Sequence, residues 1–132
     1  RMSAQGGAGA IVNVASNAGK VGYRNMAGYN ASKAAVISLT RSLSLEWAES
    51  HINVNAVCPG GVDTPMLRDV AEWLAPRLGQ TPDALHAQMK PQQMERRIQP
   101  IEVGRVVAFL LSDAAVIIRG QSINVDGGDT PY

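Results

Sequence analysis

The stretch GAIVNVASNAGKVGYRNMAGYNASKAAVISLTRSLSLEWAE (residues 9–49) changes its repeat twice, and those changes decide the fold. AIVNVAS (residues 10–16) is short, β-branched and mostly apolar, the signature of a buried parallel strand. NAGKVGYRNMAG is polar and glycine-rich and reads as a loop. From about residue 28 to residue 49 a helical period takes over. Ala31, Ala35, Leu39, Leu43 and Trp47 recur every four residues and predict one apolar stripe that must be buried somewhere.

Working outward, INVNAV (residues 52–57) alternates apolar and polar residues as a strand can, and CPGGVDTPM stops it with proline and glycine. Residues 66–98 form a more variable region. MLRDVAEWLAPRL predicts a helix with Met66, Val70, Trp73 and Leu74 near one face. TPDALHAQM offers Thr81 as an N-cap and Pro82 at the first helical position. PIEVGRVVAFLLSD predicts a helix over about residues 101–111, with Val103, Val106, Val107 and Leu110 available for packing. QSINVDGG supplies a last short strand and a turn, in which Asp126 is expected to hold the turn. The order is strand, helix, strand, variable helices, helix, strand. That predicts a single α/β domain over residues 1–132, with three parallel strands, right-handed crossovers and an open edge beside the first strand.

Bulk properties narrow the function. The chain has 132 residues, 45% hydrophobic, and a formal net charge of +1. A nucleic-acid module would show a basic excess or stripe, so none is expected as a partner. No apolar run approaches membrane-spanning length, and the start lacks the apolar core of a signal peptide. One cysteine, Cys58, excludes an intrachain disulfide framework; with the missing signal it predicts a cytoplasmic protein and a buried thiol. His51 and His86 have no ligand spacing around them, so no metal is expected. RMSAQGGAG reads as the end of a helix entering a turn, and the chain reads as a piece of something longer.

The chemistry-bearing residues lie at strand and helix ends. Tyr29 and Lys33 are four apart and share one helix face. A free tyrosine titrates near pH ~10 and exchanges its proton poorly at neutrality. A neighbouring cation favours the phenolate. Such a pair can give a proton to a developing alkoxide or take one from an alcohol. Ser16, at the end of a strand, could hold the same oxygen. Alone the spacing is weak, since a surface aromatic beneath a lysine stem has it too.

The context adds to it. GAIVNVASNAG, YNASKAAVISLTRSLSLEWA, INVNAVCPGGVDTPM and GQSINVDGG, in that order, resemble the short-chain dehydrogenase/reductase family over nearly the whole chain. The resemblance implies a partial NAD(P)-binding, Rossmann-like doubly wound fold, holding strands 5, 6 and 7 of the family order 3-2-1-4-5-6-7. It implies Tyr29 as the catalytic acid/base and also as a cofactor-binding residue. Lys33 would favour its phenolate and hold the nicotinamide-ribose hydroxyls. Ser16, thirteen residues before Tyr29, would orient the substrate oxygen. Pro59, Gly60, Val62 and Thr64 match the family's proline-glycine motif, with the backbone near Val62 and the Thr64 side chain meeting the nicotinamide carboxamide. Asn17-Ala18-Gly19 mimics another family signature after the wrong strand and is read as coincidence. Residues 66–98 resemble the substrate loop, where Trp73, Leu74, Leu78 and Met89 suggest room for an apolar substrate portion.

The implied activity is hydride transfer between NAD or NADP and a small-molecule alcohol or ketone. The LTRSLSLEW face resembles the family's dimer helix and implies a homo-oligomer, dimer or tetramer. The family's glycine-rich fingerprint, its cofactor-selecting residue and its catalytic asparagine are missing from the sequence. A companion chain carrying that half is therefore one expectation. A non-catalytic fragment acting as a structural or partner-binding piece is the alternative. A flavodoxin-like or receiver-like domain fits the strand-helix rhythm but leaves YNASK and PGGVDT unexplained.

Overall fold

The computed structural model describes Met2 and residues 8–132. Most of the helix end and turn read in RMSAQGGAG lies outside the described residues. Three strands, β1 (Gly9–Val14), β2 (Ile52–Pro59) and β3 (Ser122–Val125), form one sheet in the order β1-β2-β3. Both pairings are parallel, with Val12 opposite Asn55 and Val57 opposite Ile123. Strand β1 therefore stands at an edge, as expected. Four helices complete the described chain: α1 (Ala27–Glu46), α2 (Pro65–Leu74), α3 (Pro82–Gln88) and α4 (Pro100–Leu110). None is long and apolar enough to cross a membrane.

Strand β2 is the centre, buried from Ile52 through Cys58. Successive side chains of a strand point to opposite faces. Cys58 accordingly packs with Ala15, Ile37 and Val36 beneath α1. Val57 packs with Leu110, Ala115, Val103, Val106 and Val107 beneath α4. The sheet is thus covered on both faces, as parallel sheets require.

The polar positions of INVNAV are not a solvent face. Asn53 and Asn55 are buried. They point the same way as Val57 and bind the chain that leads from α4 into β3. Asn55 Nδ2 donates to Ile118 O (2.6 Å) and to Asn53 Oδ1 (3.1 Å), and Asn55 Oδ1 accepts from the amide of Gln121 (2.9 Å). Asparagine carries a donor and an acceptor on one side chain and so satisfies both kinds of backbone group at once. Strand β2 also runs two residues beyond the predicted stop. Pro59 pairs opposite Val125, and the next donor, the Gly60 amide, reaches Val125 O (3.3 Å).

Helix α1 corrects one expectation. Ala31, Ala35 and Leu39 are exposed, Leu39 at 52%, and the face against the sheet carries Val36, Ile37 and Thr40. An α-helix turns every 3.6 residues, so a strict spacing of four drifts about 40° per step. Five such residues wind around the helix instead of lining one face. Thr40 is anchored from both sides: Asn13 Nδ2 donates to its hydroxyl (3.0 Å), which donates to Val36 O (2.8 Å).

Helices α2 and α3 use one grammar. Thr64 and Thr81 cap them, accepting from the amides of Leu67 (3.4 Å) and Ala84 (3.2 Å), and a proline opens each helix. They share a small core of Ala71, Leu74, Ala75 and Leu85, with Met89 against it. Arg68 ties them by pairing with Glu72 and Asp83. Met66 and Trp73, predicted to lie near one face with Leu74, stay exposed. Arg77 stacks over the Trp73 ring instead, 4.3 Å from its centroid.

Two outcomes test this account. Asn55→Ala removes three hydrogen bonds of a buried side chain while leaving backbone groups unpaired, so it should lower unfolding free energy by about 2–4 kcal/mol in urea. An unchanged midpoint would contradict the role given to Asn55. At the start of α4, Arg96 grips Glu102 through both carboxylate oxygens (2.8 Å each) and the Gln99 amide adds a third bond (2.7 Å). These bonds lower the Glu102 pKa from 4.5 to about 2, the Arg96 bonds contributing most. A depressed folded-state pKa gives stability that is present above the ordinary value and lost as pH falls toward the folded one. Thermal unfolding of Glu102→Gln should therefore show a flatter loss of stability between pH 4.5 and about 2 than the parent protein.

Candidate active site

Parallel strands end on the same side, so the carboxyl ends of β1, β2 and β3 lie along one edge of the sheet. Ser16, Gly60 and Asp126 follow those three ends, with Pro59 the last residue of β2. The backbone past β1 stays in register, because the Ala15 amide donates to Val57 O (2.9 Å). Ser16 is buried, extended in backbone, and caps a short 3-10 turn at Asn17–Gly19 by accepting from the Ala18 amide (3.1 Å).

Tyr29 and Lys33 occupy the first turns of α1. Lys33 Nζ lies 5.7 Å from the Tyr29 ring centroid and donates to Val14 O (3.2 Å). That bond pins the start of α1 to the end of β1, two residues before Ser16. Tyr29 itself is 39% exposed. The phenol and the ammonium are therefore brought together, and the ammonium is held at the strand end that carries the serine.

Gly19 allows this approach. A Cβ there would lie 2.7 Å from the Lys33 carbonyl carbon and 2.9 Å from the Ala34 nitrogen. The turn carrying Ser16 thus rests directly on the backbone of the Lys33 turn. The Asn17-Ala18-Gly19 triplet, read as coincidence in the sequence, has this packing role. Asn17 of that triplet is buried, with Nδ2 donating to the Tyr23 hydroxyl (3.0 Å). Its one signal in the sequence is its place beside Ser16.

The proline-glycine motif lies beyond β2. A Cβ on Gly60 would meet Asp126 Cβ at 2.8 Å, so this loop sits against the end of β3. Val62 forms a parallel bridge with Ile98, using the Gly61 carbonyl (3.1 Å) and the Asp63 amide (2.8 Å). Alternate residues of an extended chain turn their amide and carbonyl to opposite sides. Those of Val62 therefore face away from Ile98. The Thr64 hydroxyl is the cap of α2 and also donates to Val62 O (3.4 Å), so it already has local partners. Arg97 closes the seam, donating to Asp63 Oδ1 (2.9 Å) and His86 O (3.1 Å); this bond holds the Asp63 carboxyl below its ordinary range.

Of the expected apolar positions, Leu74 and Met89 are taken up by the α2–α3 core, whereas Trp73 and Leu78 are exposed. Asp126 is buried and holds its turn as expected, Oδ1 accepting from the Gly128 amide (3.1 Å). Its Oδ2 is buried without a partner among the described residues. Burial pushes the Cys58 thiol up, which suits its place in the core. Among the described residues no group of three or more His, Cys, Asp or Glu could hold a metal ion.

Residues 1–130 match the sequence family described as Enoyl-(Acyl carrier protein) reductase. The chain is 42% identical over 131 residues to cis-4-hydroxycyclohexanecarboxylate dehydrogenase of Sinomonas cyclohexanicum, covering 98% of this chain and 48% of that protein. It overlays actinorhodin polyketide ketoreductase, solved with NADPH, at a TM-score of 0.90 and 39% identity, over 99% of this chain and 50% of that one. It overlays NAD+-bound xylitol dehydrogenase at 0.87 and 36%, over 96% of this chain and 51% of that one. The chain spans about half the length of the relatives it matches. With motifs, parallel sheet and relatives in agreement, the chain belongs to the short-chain dehydrogenase/reductase family.

Proposed function

We propose that the protein of which this chain forms part is an oxidoreductase acting on an alcohol or carbonyl substrate, with Tyr29, Lys33 and Ser16 as its working groups. The observation that carries the reading is the Lys33 ammonium, beside the Tyr29 ring and fixed to Val14 O at the strand end leading into Ser16. Relatives solved with NADPH and with NAD+ support a nicotinamide cofactor of either kind. The residues present suit its nicotinamide end. Gly60 keeps a close backbone passage against Asp126, and the Val62 amide and carbonyl turn away from their bridge partner. Pro59, Gly60, Val62 and Thr64 would hold the carboxamide side, and Lys33 the ribose hydroxyls. When bound, the nicotinamide supplies or accepts the hydride.

In this mechanism Tyr29 gives its phenolic proton to the substrate oxygen during reduction and takes it back during oxidation. Lys33 keeps its ammonium beside the Tyr29 ring, 5.7 Å from the centroid. Ser16 holds the oxygen on which charge develops. Residues 66–98 serve as the substrate loop, with Trp73 and Leu78 offering apolar contact. Leu39 and Leu45 of α1, exposed at 52% and 81%, leave apolar side chains on the surface that support a homo-oligomer. The open edge of β1 supports cover from the remaining half of the family fold, in the same chain or in a companion chain.

A second reading has one observation in its favour: the chain spans about half of its relatives, which suits a non-catalytic piece. Titration of this 132-residue chain with reduced nicotinamide cofactor separates the piece from a competent enzyme. The expected result is no saturable binding by the isolated chain and restored binding in the full-length protein. In that full-length protein, Tyr29→Phe should lower kcat by about 10²–10⁴-fold with the fold intact. A kcat within twofold of the parent would refute the assignment of Tyr29. Gly19→Ala should lower kcat by about 10–100-fold, because the new Cβ pushes the Ser16 turn off the Lys33 backbone. Gly104→Ala, where an added Cβ meets nothing within 4 Å, is the control that should leave it unchanged.

A further inference from the structure

Tyr23 stands between the two groups that the proposed reaction uses. Its backbone carbonyl accepts from Asn30 Nδ2 (2.9 Å) and from the Met26 amide (3.3 Å), which ties it to the first turn of α1 beside Tyr29. Its phenol oxygen accepts from Asn17 Nδ2 (3.0 Å), the residue next to Ser16. The side chain is 40% exposed, so it borders open space as well as the core. Among the described residues the Tyr23 hydroxyl accepts one hydrogen bond and its own proton has no acceptor. Asn17 needs only an acceptor at this point; a phenol adds a donor that Asn17 does not use.

The surroundings say what that donor suits. Burial pushes the Tyr23 phenol up, and the carboxylates of Asp129 and Asp126 push it further against the opposing Asn17 bond. The group therefore keeps its proton. Asp129 is held in place by the Gln92 amide (2.7 Å), and Asp126 is 3% exposed, so both carboxylates are fixed parts of the turn after β3. A substrate carboxylate brought to Tyr23 would meet like charge. An uncharged oxygen would not.

We propose that Tyr23 determines specificity by donating its hydroxyl proton to a second, uncharged oxygen of the substrate, a hydroxyl or carbonyl set several atoms from the reacting carbon. The inference rests on the alcohol–carbonyl reading above and names the substrate class for that site. Tyr29 handles the proton at the reacting oxygen; Tyr23 recognises a different oxygen and takes no part in the chemical step.

The test uses the full-length protein with nicotinamide cofactor and three probes: cyclohexanol, cyclohexane-1,4-diol and 4-hydroxycyclohexanecarboxylate. The parent protein should prefer the diol over cyclohexanol by about tenfold in kcat/KM, the size of one neutral hydrogen bond. Tyr23→Phe should lose that preference while its kcat/KM on cyclohexanol stays within about twofold, since the ring and the packing remain. An equal loss on both alcohols would overturn the inference, because Tyr23 would then act only through Asn17 and Ser16. A diol preference that survives in Tyr23→Phe, or a parent preference for the carboxylate probe over the diol, would overturn it as well. Tyr29→Phe, run alongside, should lower turnover of every probe by the same about 10²–10⁴-fold. Full activity there would refute the proposed reaction, and so is told apart from a failure of the Tyr23 assignment alone.

Discussion

Strand β2 hydrogen-bonds to a parallel neighbour on each edge and is covered by a helix on each face. A strand so enclosed has no water to satisfy its polar groups, and every one of them must be matched within the protein. That demand organises the molecule. The ladder takes the backbone groups. Asn53 and Asn55 take the turn between α4 and β3, because their side chains reach Ala115 O, Ile118 O and the Gln121 amide. The last strand is therefore docked by hydrogen bonds from the middle strand as well as by its own ladder of four paired positions. Because β1 and β3 both run parallel to β2, their carboxyl ends are delivered to the same edge, and the site residues with them.

Along that edge the chain is assembled at backbone contact distance. Gly19 against Lys33 brings the serine turn onto α1, and Gly60 against Asp126 brings the proline-glycine loop onto the end of β3. A third contact of this kind, Gly61 against Met89 O at 3.0 Å, brings the same loop to the end of α3. Each removes the thickness of a side chain between two elements that carry polar groups. The consequence is geometric precision: the Ser16 turn, the Lys33 turn and the loop after β2 cannot drift apart without opening a void or stretching a ladder bond. Lys33 adds a polar tether to the same joint through Val14 O. Positioning at the site thus comes from packing of main chain on main chain, with few long side chains to relax it.

Much of this is legible in the sequence. The β-branched run before Ser16, the threonine-proline start of α3, and the valine-rich face of α4 each obey a local rule, and each forms where that rule puts it. The readings that failed asked a local pattern to report a tertiary fact. The residues from Ala31 to Trp47 are apolar at a spacing of four, yet the sheet meets α1 at Val36, Ile37 and Thr40. Periodicity gives the helix and leaves open which side the sheet will take. Alternation in INVNAV rightly gives a strand and leaves open where its polar members go; they are inside, because the chain after α4 needs partners there. Tyr23 was invisible for a related reason. It lies in a glycine-rich loop with no period of its own, and its meaning comes from Asn17 and Asn30, side chains on two different elements.

The open surfaces of the chain are linked to its site by the same strand. Among the described residues strand β1 has one free edge, Val14 at its end is 56% exposed, and that residue supplies the carbonyl that holds Lys33. A bare parallel edge beside exposed apolar side chains is a demand for cover. Whatever satisfies the demand must lie along β1, and so reaches the strand end where Val14, Lys33 and Ser16 meet. Burying Val14 would also strip water from the Lys33 bond, and an ammonium–carbonyl bond gains strength as the local dielectric falls. Completing the sheet and tightening the site are then one event. That coupling gives a physical reason why the residues proposed to handle the proton can sit in this half of a family fold while their proposed effect depends on what packs against its edge.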